Sequence, residues 1–383
     1  MKLTKYLTNL ILSASLLSSC SPQIDKEIPQ SRNCYVKSSS DNANKDTEAY
    51  KNGNNTIRTS SLYNKKEEHE HRNLEWYLDT SHIQAVDSGE IEKLKNITIA
   101  VLDTGLAYEN YTDSTTGKVY MKSPDLKNIQ VVSGYDFIND DSHPNDDEGH
   151  GTSITSLIAA DGGAVGVAPG VKIMPIKVLD DKQRGTINIL IKGIDYAVKH
   201  GADIINMSTS FPLYFVSDTL LQKSIKKAHY KGVILVGAAG NDGENEITYP
   251  ARYQDVISVG SYFLKEDRRL GIAPYSNLND KLSIMAPGGR LDLDTNKDGQ
   301  PDGILAMTIK AGDPTGFGYW FQVGTSPSTA IVSGVVARLL ANGCPTEEVY
   351  KILRSTPSSL DGIPVLDLAA SLEKLKDYKL AQK

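Results

Sequence analysis

The chain has 383 residues, a formal net charge of −6 and three cysteines. This length suits one large α/β domain with additional segments. Because acidic residues outnumber basic ones and the basic ones are spread along the chain, the sequence lacks the concentrated positive field that a nucleic-acid partner needs. The cysteines, Cys20, Cys34 and Cys344, are too few for a disulfide framework, and only a bridge between Cys34 and Cys344 stays open.

The first twenty residues have the layout of an export signal. Two lysines precede an apolar stretch at 7–17, and two serines then precede Cys20. The apolar stretch is too short for a stable membrane span. The letters LSSC resemble a bacterial lipobox, which predicts a lipoprotein signal peptide at 1–19, lipid attachment at Cys20 and an extracytoplasmic protein anchored to a membrane. An ordinary signal peptide with a chance cysteine is the alternative.

Residues 20–72 are predicted to form a flexible tether between the lipid and a folded domain. The segment contains runs such as SSSDNANKD and KKEEHEH, and its few apolar residues follow no strand or helix period. Such a composition cannot bury enough apolar surface to fold alone. A divergent pro-segment stays open as an alternative.

From residue 73 onward apolar runs alternate with amphipathic stretches, a pattern typical of a parallel sheet flanked by helices. The predicted strands are 97–102, 171–179, 203–208, 233–239 and 256–262. The predicted helices are 186–201, 218–232, 328–343 and 346–356, and the first two end at a glycine suited to a left-handed cap. Residues 73–383 are therefore predicted to form one α/β domain.

Three glycine-lined segments carry side chains suited to acyl-transfer chemistry. Asp103 follows a predicted strand, at the carboxyl edge where open α/β sheets place their sites. His150 stands between two glycines, which leave room for another group to reach the imidazole. Ser326 precedes a helix, so free helix amides face any negative charge that forms beside its hydroxyl. Taken singly, a plain turn at Asp103 and a helix N-cap at Ser326 are the alternatives. Together the three supply an orienting acid, a base and a nucleophile.

The segments VLDTG, GHGTS and GTSPSTA around these residues resemble the three signature segments of the subtilisin-like serine proteases, the subtilases. The resemblance covers about residues 73–370, and VGAAGND places Asn241 where the family has its oxyanion-hole asparagine. It implies a three-layer α/β fold and a monomeric serine endopeptidase that cleaves protein or peptide substrates through an acyl-enzyme. Asp103, His150 and Ser326 would form its catalytic triad.

The same resemblance assigns substrate binding to Gly185, Ser208, Thr209 and Ser210. The family's glycine-rich wall after the NMS strand is replaced by Ser208-Thr209-Ser210-Phe211, and Phe211 is expected to narrow the pocket for the residue before the scissile bond. The family's methionine after the nucleophile is Pro327 here. A proline close to a helix start removes only an N–H that has no helical acceptor, so Pro327 is compatible with the helix.

The segment LDLDTNKDGQPDGIL predicts a structural calcium site. Oxygen ligands alternate along it as in an EF-hand-type loop, with a glycine at the sharp turn. The predicted ligands are Asp294, Asn296, Asp298, Gln300 through its backbone, and Asp302. Leu305 stands where the bidentate glutamate belongs, so a solvated acidic turn is the alternative. The acidic run 138–149 before His150 is predicted to be a solvated loop.

Three other functions are alternatives to a general endopeptidase. A catalytically dormant subtilase fold kept for binding disagrees with the intact acid, imidazole, alcohol and asparagine. An esterase usually carries its serine in G-x-S-x-G with the histidine last in the chain, whereas His150 precedes Ser326 here. A dedicated processing protease, for a secreted peptide or a bacteriocin leader, stays open.

Overall fold

The computed structural model describes residues 11–13, 35–36, 71, 74–211, 213, 215, 217–295, 297–310 and 312–382. Apart from 11–13, 35–36 and 71, the predicted signal peptide and tether lie outside the described residues, and so does Cys20. None of the helices in the described ranges is long and apolar enough to cross a membrane. Cys344 is buried and free, while Cys34 lies outside the described residues.

The strands are numbered in chain order. They are β1 (Ile11–Ser13), β2 (Tyr35–Val36), β3 (Thr98–Asp103), β4 (Tyr111–Thr112), β5 (Val119–Tyr120), β6 (Gln130–Val131), β7 (Tyr135–Asp136), β8 (Lys172–Lys177), β9 (Arg184–Thr186), β10 (Ile204–Met207), β11 (Ile234–Ala238), β12 (Val256–Leu264), β13 (Leu270–Ile272), β14 (Ile284–Pro287), β15 (Ile304–Lys310), β16 (Asp313–Gln322), β17 (Ser359–Leu360) and β18 (Ile363–Pro364). The helices are α1 (Trp76–Thr80), α2 (Ser88–Leu94), α3 (His150–Ala159), α4 (Ile187–Lys199), α5 (Thr219–Tyr230), α6 (Thr325–Ala341), α7 (Thr346–Leu353) and α8 (Leu368–Ala381).

A nine-stranded sheet forms the centre of the domain. Its strand order is β13-β12-β11-β10-β3-β8-β6, with β14 also paired to β12 and β7 also paired to β8. Every pair is parallel except β12 with β13. All five strands predicted from the sequence belong to this sheet, as β3, β8, β10, β11 and β12. The predicted central, mostly parallel sheet is therefore confirmed.

Alternate residues of the central strands point into two separate hydrophobic clusters. On β3, Ile99 and Val101 belong to the cluster that includes residues of α3 and α6, whereas Ala100 and Leu102 belong to the cluster that includes residues of α4 and α5. A strand buried on both faces has apolar residues at successive positions, which is why residues 99–102 form a continuous apolar run, IAVL. Helices thus cover both faces of the sheet, as predicted.

The helix boundaries follow from local capping. The Thr186 hydroxyl caps α4 by accepting from the Ile189 amide at 3.3 Å, and the Asp218 carboxylate caps α5 through two amides. Gly201 and Gly232 follow these helices with φ of +80° and +81°, the left-handed geometry that glycine adopts at low cost. The predicted glycine stops are confirmed.

A second sheet lies beside α3 and was not predicted from the sequence. The hairpin β15–β16 is antiparallel, and β2 adds to it through Tyr35 and Val36, which fall in the predicted tether. His71 is also buried, with its ring edge-on to Tyr319 of β16 at a centroid distance of 4.3 Å. Parts of the segment before residue 73 therefore contact the domain. The C-terminal helix α8 was also not predicted.

Candidate active site

Asp103 and His150 meet at the carboxyl edge of the central sheet. Asp103 is the last residue of β3 and His150 is the first of α3, and both side chains are almost wholly buried. The distance between His150 Nδ1 and Asp103 Oδ1 is 2.7 Å. A carboxylate only accepts, so Nδ1 carries the proton and Nε2 is left as the basic nitrogen. Nε2 has no hydrogen-bond partner among the described residues.

The glycines on either side of His150 allow its helix to approach β3. Gly149 has φ +116°, a left-handed geometry. At Gly151 a Cβ would lie 2.2 Å from the Gly105 carbonyl oxygen, which no larger residue tolerates. These glycines were predicted to leave room around the imidazole. Their observed contacts are with backbone and side chains of the protein, which fix where the imidazole lies.

Asp146 organises the loop that leads into His150. Its carboxylate is completely buried and accepts from the Thr104 hydroxyl, from the amides of Glu148 and Gly149, and from the amide and hydroxyl of Thr152. It therefore ties the residue after Asp103 to the first turn of α3, where a negative charge also suits the helix dipole. The prediction of a solvated loop is wrong at this residue.

Lys177 provides a buried positive charge beside the same loop. Its ammonium group is buried, donates to the Thr104 carbonyl and lies 2.8 Å from Asp147 Oδ1. Burial alone would lower the pKa of Lys177, but Asp147 and Asp146 outweigh burial and raise it. Lys177 is the last residue of β8 and is paired with Asp103 of β3 in the ladder, so a buried cation balances part of the negative charge collected around His150.

Glu148 adds a second carboxylate beside the imidazole. Glu148 Oε2 accepts from the His150 amide at 2.7 Å, and Oε1 accepts from the Gln183 side chain at 2.6 Å. Burial disfavours charge on His150, yet Asp103, Glu148 and Asp146 together raise the pKa of His150 to about 9. Burial raises the pKa of Glu148 as well. Glu148 has no sequence signal of its own beyond its position two residues before His150.

Ser326 is the second residue of α6, and Gly324 occupies the N-cap position. The alternative that Ser326 is a simple N-cap is therefore wrong. Its Oγ donates to the Ser208 carbonyl at 3.1 Å, and the Ser208 hydroxyl donates to the Ser326 carbonyl at 2.9 Å. Pro327 is the third helical residue, where its missing N–H has no helical acceptor, as predicted.

The strand register shows how Ser326 comes close to Asp103. Asn206 of β10 is paired with Val101 of β3 in the parallel ladder. Ser208 lies two residues after Asn206, and Asp103 lies two residues after Val101. The two residues are therefore at the same edge of neighbouring strands, whose backbones are about 4.8 Å apart in a sheet. Because Ser326 is hydrogen-bonded to Ser208, its hydroxyl, the Asp103 carboxylate and the His150 imidazole lie at the same edge of the central sheet.

Asn241 follows β11 and is held against the start of α6. Asn241 Oδ1 accepts from the Thr325 amide at 2.8 Å and from the Thr325 hydroxyl at 3.0 Å. An NH₂ group cannot accept from an amide, so this contact fixes the orientation of the side chain. A Cβ at Gly324 would lie 3.1 Å from Asn241 Nδ2. The side-chain amide is thus held beside the residue that precedes Thr325 and Ser326.

The predicted substrate-binding residues lie in two places. Ser208, Thr209 and Ser210 follow β10 and are buried, and Ser208 is hydrogen-bonded to Ser326. Gly185 lies on β9, where it pairs with Leu12 of β1, and a Cβ there would lie 2.3 Å from the Val178 carbonyl oxygen.

Phe211 packs into the core. Its side chain is 1% exposed, its ring stacks on Phe215 at a centroid distance of 4.4 Å, and its amide donates to the Tyr249 carbonyl. The prediction of a side chain that narrows a substrate pocket did not anticipate this packing.

The predicted calcium loop is folded around its own carboxylates. Asp294 accepts from the amides of Asp298 and Gly299, and Gly299 has φ +84°, the sharp turn that was predicted. The buried Asp302 carboxylate accepts from the Thr295 backbone amide, and the backbone amide of Gln300 donates to the Asp298 carboxylate. In the described ranges, which omit Asn296, no three acidic, histidine or cysteine side chains gather closely enough to hold an ion. The described carboxylates therefore do not fit a preformed metal site.

Comparison with known sequences agrees with this geometry. The profile of the subtilase family matches residues 94–361, which include Asp103, His150, Asn241 and Ser326. The chain belongs to the subtilase family. The family predicted from the four motifs is thus confirmed.

Similar subtilases include characterised bacterial proteins. Subtilisin DY of Bacillus licheniformis is 35% identical over 200 residues, which cover 50% of this chain and 65% of that protein. Thermitase of Thermoactinomyces vulgaris is 30% identical over 284 residues, which cover 73% of this chain and 88% of that protein.

A solved structure shares the fold. Fervidolysin from Fervidobacterium pennivorans, a keratinolytic enzyme related to subtilisin, aligns with a TM-score of 0.66 and 27% identity over 83% of this chain and 48% of that chain. The predicted three-layer subtilisin-like fold is confirmed. This chain spans less than two thirds of Subtilisin DY and about half of fervidolysin.

The position of Asn241 in this subtilase predicts a large effect of Asn241→Ala on turnover. Loss of one oxyanion donor costs about 10²- to 10³-fold in kcat, because the donor acts on charge that exists only in the transition state. The measurement is kcat and KM on a chromogenic peptide, with the exposed Asn188→Ala as control. A kcat within a factor of about three of the parent enzyme would contradict this role.

Proposed function

We propose that this subtilase is a serine endopeptidase that cleaves peptide bonds through an acyl-enzyme on Ser326. The observation that carries the proposal is the buried 2.7 Å contact between His150 and Asp103, at the same sheet edge as Ser326. With Nδ1 protonated by this contact, Nε2 is free to take the hydroxyl proton as Ser326 attacks the carbonyl carbon. The same proton then goes to the departing amine.

The nucleophile must change its hydrogen bond before it reacts. Ser326 Oγ now donates to the Ser208 carbonyl, whereas attack requires donation to His150 Nε2. A rotation of the serine side chain makes this exchange, and catalytic hydrogen bonds often tighten only when substrate binds. Asp103 would meanwhile orient the imidazole and stabilise its positive form.

Negative charge on the carbonyl oxygen would be stabilised at the start of α6. As the second helical residue, Ser326 has a backbone N–H without an acceptor inside the helix, and the positive end of the helix dipole lies there. The Asn241 amide, held by Thr325, supplies the second donor. Two fixed donors at this point act on the tetrahedral intermediate, as in other acyl-transfer enzymes.

The substrate would extend along β9. In the structure this strand pairs antiparallel with Ile11–Ser13, which shows that its edge accepts an extended segment. Removal of the proposed signal peptide would leave the same backbone groups for an extended substrate. Gly185 belongs to this strand, and Ser208, Thr209 and Ser210 lie where the peptide reaches Ser326. Addition of a strand binds peptides mainly through their backbone, which accommodates protein substrates in general.

The raised pKa of His150 predicts an alkaline pH profile. Only the neutral imidazole accepts the Ser326 proton, and the neutral fraction grows with pH until the pKa of about 9 is passed. We expect kcat/KM for a neutral peptide to rise about tenfold per pH unit below this value and to level off above it. Rates measured from pH 6 to 10.5 test this, and a flat profile between pH 7 and 9 would contradict it.

We also propose that the protein is a lipoprotein at the outer face of a bacterial membrane, attached through Cys20. The basic start, the short apolar stretch and LSSC support this placement. Residues 20–72 would hold the domain near the membrane, with β2 and His71 as points of contact with it. Each buried acyl methylene contributes about 0.8 kcal/mol, so several chains on one cysteine hold a protein firmly.

Cys20→Ala is therefore expected to move the protein from the membrane fraction to the medium. Fractionation and immunoblotting of the producing cell would measure the shift. Cys34→Ala is the matched control, since Cys34 also precedes the domain but lies outside the lipobox. Membrane retention of Cys20→Ala would exclude the lipid anchor at this residue.

We further propose that calcium stabilises loop 294–302. Asp294, Asn296, Asp298, Gln300 and Asp302 offer oxygen atoms at alternating positions, the ligands that calcium prefers. The described carboxylates accept amide hydrogen bonds within the loop, so an ion would have to draw them together. No catalytic step depends on this ion.

Removal of calcium is expected to lower the melting temperature. A ligand at 100 times its Kd stabilises a fold by about 2.7 kcal/mol, roughly 5 °C for a domain of this size. Thermal unfolding in EGTA and in millimolar calcium measures the difference. Asp298→Asn should abolish the response and Asp280→Asn, outside the loop, should keep it. An unchanged melting temperature of the parent protein in EGTA would rule out the ion.

A further inference from the structure

A cavity of about 160 Å³ opens beside the imidazole of His150. It lies between the start of α3 and the hairpin β15–β16. Its walls include Glu148, His150, Thr308, Ile309, Trp320 and Gln322. Among the residues that the structure describes, no lysine or arginine lines it. With His150 in its neutral, reactive form, Glu148 is the one charged side chain that these described residues contribute to the cavity wall.

Glu148 is held so that its charge stays at the cavity. One carboxylate oxygen accepts from the His150 backbone amide and the other from the Gln183 side chain, so both oxygens of the carboxylate are held in place. Burial raises the pKa of Glu148, which means that its negative charge is poorly solvated there. A cation that entered the cavity would offset this loss of solvation and form a charge-assisted hydrogen bond.

The remaining walls suit the stem of a long basic side chain. Ile309 and the indole of Trp320 provide apolar surface for methylene groups. An indole also attracts a nearby ammonium or guanidinium group. Lysine and arginine combine an apolar stem with a charged end, and this cavity presents apolar walls together with one carboxylate.

The cavity lies next to the point where the peptide bond would be cleaved. Gln183, bonded to Glu148, directly precedes β9, and a peptide antiparallel to β9 runs toward Gln183. Gln322, on the other wall, is four residues before Ser326. Glu148 therefore connects the cavity, through Gln183, with the strand along which the peptide would lie, and the cavity shares His150 with the site of cleavage.

We infer that this cavity is a specificity subsite in which Glu148 recognises a lysine or arginine side chain of the substrate within two residues of the scissile bond. The inference rests on the proposed endopeptidase activity and specifies its substrate class. It assigns to Glu148 a role in binding, separate from the proton transfer by His150.

A set of matched peptides tests this subsite. Each peptide carries lysine or norleucine, which keeps the apolar stem without the charge, at one of the two positions on either side of the scissile bond. Charge-assisted hydrogen bonds predict a preference for lysine of about 10- to 100-fold in kcat/KM at one position. Glu148→Gln, which keeps the size and an acceptor oxygen, should reduce this ratio to near one. The exposed Glu373→Gln on α8 should leave it unchanged.

Binding to Ser326→Ala separates this inference from the proposed activity. The lysine peptide should bind this variant at least tenfold more tightly than the norleucine peptide, and the difference should weaken at high salt. Cleavage without any preference for lysine, or a preference that Glu148→Gln retains, would overturn the subsite but not the peptidase. Binding selectivity for lysine without any cleavage would support the subsite and refute the proposed activity.

Discussion

The buried contact between Asp103 and His150 is the interaction on which the site depends. It requires a carboxylate at the end of β3 and an imidazole at the start of α3, two elements that are 47 residues apart in sequence. A buried carboxylate and a buried imidazole are both costly to desolvate, so the pair persists only because further groups satisfy it. Asp146 ties Thr104 to the first turn of α3, and Gly151 allows the helix to come within backbone contact of Gly105. The geometry of the imidazole is thus set by the packing of α3 on β3.

The charge around this contact distinguishes the site in two ways. Asp103, Asp146 and Glu148 lie near one imidazole. The buried ammonium of Lys177, which binds Asp147 and the Thr104 carbonyl, balances part of the negative charge in this region. The excess of carboxylates favours the positive form of His150 and so moves the reactive form to alkaline pH. The same excess leaves Glu148 at a cavity whose described walls contain no lysine or arginine. One local charge pattern therefore affects both the base and the side chain that the site would accept.

Much of this arrangement could be predicted from the sequence because it depends on local patterns. Parallel strands buried on both faces give continuous apolar runs, and the carboxyl edge of such strands locates Asp103 without coordinates. The terminal glycines predicted the ends of α4 and α5 to within a few residues. The motif around Ser326 placed the nucleophile at a helix start, although the helix begins at Thr325, three residues earlier than predicted. The roles of these side chains in catalysis stay predictions.

Other features depend on contacts between distant segments and have no local signal. Asp146 lies in an acidic run that is typical of a solvated loop, and its burial results from partners at Thr104 and Thr152. Phe211 was expected at a substrate pocket, but its stacking on Phe215 and its amide's hydrogen bond to the Tyr249 carbonyl hold it in the core. The second strand of the hairpin, β16, begins with Asp-Pro and contains two glycines. Its composition therefore argues against a strand, and its pairing with β15 creates one.

Covalent labelling with a fluorophosphonate probe tests the central claim most directly, because the probe reacts with a serine activated by a neighbouring base and needs no knowledge of the substrate. The account predicts one modified residue, Ser326, identified by mass spectrometry of the folded protein. Labelling should vanish in Ser326→Ala, fall steeply in His150→Ala, and persist in Ser328→Ala, whose hydroxyl is buried against Ser261 and the Pro287 carbonyl. A folded parent protein that resists the probe, or that is labelled equally well without Ser326 or His150, would contradict the account.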